Sequence, residues 1–225
     1  MNPAGTNAWR AVPRDERDHG LPGALPSATA WRGRPGAVQS VGLWVFMGVA
    51  TALFGLLITA YVLRMSERDA MVIALPWQLW LSTAWLAAGS VVLQVASSVQ
   101  RRPALQTVVR LGPVLAAGGV CALAFLAVQW WGWLELLARQ VTPVGNPAGS
   151  LFYLLTAMHG LHVMGGLVAW GVVLRRLGRE DAVAAHWRVA LLARYWHFLL
   201  VVWGVLFATL AWVTPEVARI ICRTA

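Results

Sequence analysis

The stretch LFYLLTAMHGLHVMGGLVAW, Leu151–Trp170, runs for twenty residues without a charged side chain and carries two histidines, His159 and His162, three positions apart. At about 1.5 Å per residue a helix of this length is about 30 Å long, the thickness of a bilayer's hydrocarbon core. Apolar runs of the same kind recur, so the sequence reads as five membrane spans at Val41–Leu63, Leu75–Val99, Val108–Trp131, Ser150–Leu174 and Val189–Val213. The composition demands the same reading. Of 225 residues 59% are hydrophobic and 12% charged, and the mean hydropathy is +0.63, which leaves too little polar surface to cover a water-soluble core of this size.

Residues 1–40 contain RAVPRDERDHGLPGALPSATAWRGRPG, a mixture of Arg, Asp, Pro and Gly with no apolar core, and read as a flexible polar tail rather than a cleaved signal. Residues 41–213 form the transmembrane domain, and 214–225 a short C-terminal tail. The connections RMSERDAM, SSVQRRPALQT and RRLGREDAVAAHWR leave no room for a soluble domain, and GWLELLARQVTPVGNPAG reads as an irregular loop because of Pro143, Gly145, Asn146, Pro147 and Gly149. No internal repeat of the transporter kind is present. Gly165 and Gly166 read as places where a neighbouring helix approaches closely.

The net charge of +9 arises from 18 arginines and no lysine. Because these arginines flank apolar spans, they argue for a membrane rather than nucleic acid. With the N-terminus inside, one side collects Arg10, Arg14, Arg17, Arg32, Arg34, Arg101, Arg102, Arg110, Arg175, Arg176, Arg179, Arg188 and Arg194, against Arg64, Arg68, Arg139, Arg219 and Arg223 on the other. That 13 to 5 division, and 10 to 5 without Arg10, Arg14 and Arg17, predicts a cytoplasmic N-terminus and a periplasmic C-terminus. The tryptophans near span ends (Trp77, Trp80, Trp130, Trp131, Trp133, Trp187 and Trp212) read as an aromatic belt.

A charge inside a bilayer is costly enough to mark function. Here Glu67, Asp69, Glu135, Glu180, Asp181 and Glu216 all read as lying at span ends or in loops, leaving His159, His162 and His197 as the ionisable groups within spans. His159 and His162 share a helix face. For a haem held between helices, His162 reads as about 18 Å deep and His197 as about 12 Å from the same side, a poor match in level. A copper or zinc site lacks further ligands at short spacing, and Cys121 and Cys222 are too few and too far apart for a metal site or disulfide framework. Hydrogen bonding of the histidines to a backbone carbonyl, to a polar side chain such as Gln129 or Thr156, or to a lipid headgroup is the expected outcome.

Three segments together carry a family resemblance. GSLFYLLTAMHGLHVMGG (Gly149–Gly166), YWHFLLVVWGVLF (Tyr195–Phe207) and GLWVFMGVATALFGLLITAYVLR (Gly42–Arg64) resemble, in order, signatures of subunit III of haem-copper terminal oxidases, in its five-helix form. The resemblance implies a non-catalytic subunit without redox cofactors of its own, packed on the oxidase's subunit I in the company of subunit II and further small subunits. Haem and copper would reside in those partners. It further implies phospholipid in a cleft, support for proton uptake and complex stability, and residence in the bacterial inner membrane. His159, His162, His197 and Gln129 are family-motif positions, Trp44, Trp196 and Trp203 are candidates for an interface or lipid cleft, and Arg64, Arg194 and Tyr195 are candidates for lipid headgroups. Three departures stand out: Ala50, Gly132 and Leu200 occupy positions where the family places acids, which argues against proton uptake through this chain's own carboxylates. The alternatives are the similar accessory subunit of nitric oxide reductases, a membrane cytochrome using the histidines for haem, and a small transporter.

Overall fold

The computed structural model describes residues 36–67, 75–101, 110–142, 147–177, 179 and 182–224. The expectations for residues 1–35, for most of the segment after the first span, for Arg102, and for Glu180 and Asp181 lie outside the described residues. Among the described residues the secondary structure is entirely helical: α1 Ala37–Met65, α2 Gln78–Arg101, α3 Leu111–Ala138, α4 Pro147–Arg176, α5 Ala182–Trp212 and α6 Pro215–Thr224. Five of these, α1 to α5, are long and apolar enough to cross a membrane.

Helix α5 is the hub. Half of its most apolar window is buried, against 17% for α1 and for α4, and it lies against α1, α2 and α4. Its buried residues Val189, Leu192, Ala193, Trp196, Leu199, Trp203, Leu206 and Leu210 recur at three- and four-residue spacing and so form one stripe. Helix α2 packs on α3 and α5, α4 also meets α1 and α3, and α6 meets α1.

The helix ends have local causes. Gly36 precedes α1 at φ 84, a left-handed conformation that glycine tolerates, and a Cβ there would stand 2.8 Å from the Trp187 ring. Helix α3 continues well past Trp131 because Glu135 is neutralised one turn on by Arg139, at 2.9 Å. It stops at Gln140, whose φ of 63 lets the Val141 N–H reach the Leu136 carbonyl and the Gln140 N–H the Leu137 carbonyl, both at 3.0 Å. The segment read as an irregular loop therefore begins with two further turns of helix, and the segment read as a C-terminal tail contains α6.

Candidate functional site

Helices α1, α4 and α5 enclose an open groove of about 630 Å³. Leu43 and Phe46 of α1, Gly165, Ala169 and Val173 of α4, and Leu191 and the Tyr195 ring of α5 supply apolar walls, while Gln39, Trp187 and Arg188 provide the polar groups. Gly165 keeps the wall open, since a Cβ there would meet nothing within 4 Å, whereas its neighbour Gly166 is a packing glycine whose Cβ would come within 2.8 Å of Trp196 and 3.0 Å of Tyr195. The expected close helix approach thus belongs to Gly166, and Gly165 lines the groove. Chemically, such a space accepts a hydrocarbon chain and offers cationic and hydrogen-bonding groups to a polar head.

The headgroup candidates divide. Arg194 is exposed, donates to Ser40 Oγ at 3.3 Å and lies 5.8 Å from the centre of the Trp44 ring, so it ties α5 to α1 beside the groove. Tyr195 is 7% exposed and its hydroxyl donates to the His162 carbonyl at 2.9 Å, which makes it a strut between α5 and α4 that shows the groove only its ring. Arg64 lies in the last turn of α1.

Of the three tryptophans expected at an interface or cleft, only Trp44 faces outward, at 58% exposure. Trp196 and Trp203 are fully buried. The correction follows from helix phase: the two are seven residues apart on the inner stripe of α5, where Trp203 Nε1 donates to Thr83 Oγ1 of α2 at 2.8 Å. In the belt, Trp77, Trp80, Trp130, Trp131 and Trp212 are exposed as expected, while Trp133 turns in to donate to Thr156 Oγ1 at 3.2 Å.

The histidines occupy three different environments. His162 Nδ1 donates to the Met158 carbonyl one turn back at 2.7 Å, and its ring meets Phe46 and Phe54 of α1. His197 turns instead to α2, with Nδ1 2.5 Å from Ser90 Oγ and Nε2 donating to Gln94 Oε1 at 2.9 Å. These two rings therefore do not face each other across a gap. His159 is fully buried among Phe54, Phe125 and Trp203, with ring centroids 5.1 to 6.2 Å away, and neither ring nitrogen meets a hydrogen-bond partner. The expected bond from His159 to Gln129 or Thr156 is absent: the Thr156 hydroxyl donates to Phe152 O at 2.8 Å and accepts from Trp133, and both amide atoms of Gln129 are buried and without a partner. Among the described residues no three His, Cys, Asp or Glu side chains gather as a metal site.

The three positions where the resemblance led to an expectation of acids sit in packed surroundings. Ala50 is 3% exposed, Leu200 is half-buried in the core, and Gly132 is buried with its Cβ direction 3.6 Å from Gln78 and 3.8 Å from Leu79. A feature that sequence reading missed is the pair Gln94 and His197. Gln94 is exposed on the apolar window of α2 and its partner is half-exposed at the midpoint of α5. The signal available was a polar Gln inside an otherwise apolar span.

The bundle and its groove define a multi-spanning helical membrane protein. No family model matches the chain. Three curated proteins are similar to it: "Probable cytochrome c oxidase subunit 3" of Nocardia farcinica, 37% identical over 90 residues, or 40% of this chain and 44% of the relative; the protein of the same name from Mycobacterium bovis, 35% identical over 89 residues, 39% and 44%; and "Cytochrome c oxidase subunit 3" of Corynebacterium diphtheriae, 36% identical over 87 residues, 38% and 42%. The matched region thus spans less than half the length of these relatives. The chain resembles a divergent oxidase subunit III.

Proposed function

We propose that this chain is the five-helix subunit III of a respiratory haem-copper terminal oxidase, an accessory subunit without a catalytic centre that sits in a bacterial inner membrane with its N-terminus cytoplasmic. It packs on subunit I, beside subunit II, and holds phospholipid in the α1/α4/α5 groove. In this role it supports the stability of a complex whose haem and copper lie in those partners. The similarity to named subunit 3 proteins is the observation that carries the reading. Two features of the fold support it. The groove offers an apolar wall with arginine and tryptophan beside it, suited to an acyl chain and its headgroup. The Gln94–His197 pair faces outward at hydrocarbon depth, where a hydrogen-bonding group favours a neighbouring transmembrane helix over lipid. With Ala50, Gly132 and Leu200 in place of acids, any aid to proton uptake works through shape and lipid rather than through carboxylates at those positions.

The test is to tag the chain in its native host, solubilise gently and identify what copurifies. A haem-copper subunit in stoichiometric amount is the expected result, with Gln94→Leu and His197→Leu reducing its yield while Val49→Leu, on the outward face of α1, does not. Recovery of the chain alone overturns the proposal. A Soret band in the isolated chain that disappears in His162→Ala and His197→Ala would establish the cytochrome reading in its place.

A further inference from the structure

Helix α6 is unlike the five spans. In the sequence PEVARIICRT, about 100° of rotation per residue places Val217, Ile220 and Ile221 within one arc, sets Arg219 on the opposite side and leaves Glu216 at the edge of the arc beside Ile220. The helix is locally well specified. Thr214 caps it, its carbonyl accepting the Ala218 N–H at 2.9 Å and its hydroxyl the Val217 N–H at 3.4 Å, and Pro215 occupies the first position, where a missing N–H costs nothing. Glu216 lies in the first turn, where the helix dipole favours an acid, and the Arg219 side chain bonds back to the Pro215 carbonyl at 3.1 Å.

Its position is fixed by the chain. Helix α5 ends at Trp212, which is 75% exposed, and Val213 and Thr214 are the whole connection. Two residues reach at most about 7 Å, so α6 starts at the level where α5 leaves the bilayer. One flank packs on α1, where Ala218 is fully buried. The adjoining flank is only partly covered: Val217 is 40% exposed, Ile221 47% and Ile220 65%. A ten-residue helix tethered at a bilayer surface, with aliphatic side chains on one arc, an acid at its edge and an arginine opposite, satisfies the requirements for lying in the boundary between headgroups and acyl chains.

We propose that α6 is an interfacial helix. Val217, Ile220 and Ile221 enter the acyl side of the boundary, Glu216 lies at headgroup level, Arg219 faces water, and the contact of Ala218 with α1 holds the helix against the end of the bundle. The partner surface is lipid, since α6 follows by two residues on Trp212, exposed at the end of a span, and its own exposed side chains on that arc are aliphatic. This assignment is independent of the oxidase reading.

The test uses the full chain with Cys222→Ser, reconstituted in vesicles of phosphatidylcholine and phosphatidylglycerol. Nitroxide labels are placed through Ile220→Cys or Arg219→Cys, and collision with oxygen, which concentrates in lipid, is compared with collision with a water-soluble nickel chelate. Val45→Cys on the exposed face of α1 supplies the hydrocarbon reference. The expected result is an oxygen-to-nickel ratio several-fold higher at position 220 than at 219, and lower than at 45. Equal ratios at 220 and 219 would mean that α6 stands in water, and shielding of 220 from both reagents would mean that protein covers it. Either outcome overturns the proposal.

Discussion

Replacing Gly119 by alanine is the sharpest single test of how α3 and α4 are held together. A Cβ at Gly119 would stand 2.2 Å from Trp170 Cζ2, 2.4 Å from Cε2 and 2.7 Å from Cη2. Ordinary contact begins near 3.4 Å, so the rigid indole must retreat by about 1.2 Å. The ring is not free to do so. Its Nε1 donates to the Leu115 carbonyl at 2.7 Å, one turn before Gly119 on α3, and a retreat of that size opens the bond. Overpacking costs about 1–3 kcal/mol and the lost bond about 1 kcal/mol, so the variant should lose about 3 kcal/mol, roughly two orders of magnitude in the folding equilibrium. Reversible unfolding in mixed micelles of SDS and a mild detergent, followed by tryptophan fluorescence, measures this. The double variant Gly119→Ala with Trp170→Leu removes the obstruction and should be no less stable than Trp170→Leu alone. A single variant within about 0.5 kcal/mol of the parent, or strict additivity in the double, would refute the reasoning.

Three further outcomes are expected in the same assay. Thr83→Val removes the acceptor of the fully buried Trp203 indole and should cost about 1–3 kcal/mol, whereas Thr83→Ser, which keeps the hydroxyl, should cost much less. Gln140→Gly relieves a non-glycine residue at φ 63 and should stabilise the chain by about 1 kcal/mol; a loss of stability would show that the Gln140 side chain has a role of its own. His159→Phe substitutes one ring for another in an aromatic cage where the imidazole nitrogens have no partner, so stability should hold or rise, while His159→Ala should fall by about 3 kcal/mol for the cavity. A clear loss in His159→Phe would mean that an enclosed water serves that ring.

The five spans were legible because a bilayer sets the length of an apolar run, and that signal needs no knowledge of packing. Which face of each span is inside was not legible. In a soluble helix the outer face is polar and the phase shows; in a lipid-facing helix it is as apolar as the core. Trp196 and Trp203 therefore read like Trp44, although they lie on the buried stripe of α5 and Trp44 does not. The ends were misread for a related reason. The apolar run ends near Trp131, yet the helix runs on to Ala138, because a helix need not stop where the hydrocarbon does and Glu135 pairs with Arg139 one turn on. Ten residues are too few to span, and so α6, which lies along a surface rather than across one, read as a tail. Of the site, the histidine motif was legible as a motif and its bonding was not, because His162 bonds within its own helix and His197 across to α2.

The spread of hydrogen bonds through the bundle explains how it is held together with Ala50, Gly132 and Leu200 in its packed interior. Lipid supplies little hydrophobic drive between helices, so close packing and interhelical hydrogen bonds must hold them together. Here the helices are cross-linked by hydrogen bonds: Trp170 of α4 donates to the backbone of α3, Trp133 of α3 to Thr156 of α4, Tyr195 of α5 to the backbone of α4 and Trp203 of α5 to Thr83 of α2, while His197 of α5 pairs with Ser90 and Gln94 of α2. Each link joins a bulky ring to a small residue or a carbonyl, and none requires a buried charge. A side chain at position 132 would start in contact with Gln78, Leu79 and Pro76, where burying a carboxylate costs desolvation. The apolar residues at these three positions thus belong to the same design as the indole links: a scaffold held by rings, hydroxyls and carbonyls that pair across helices.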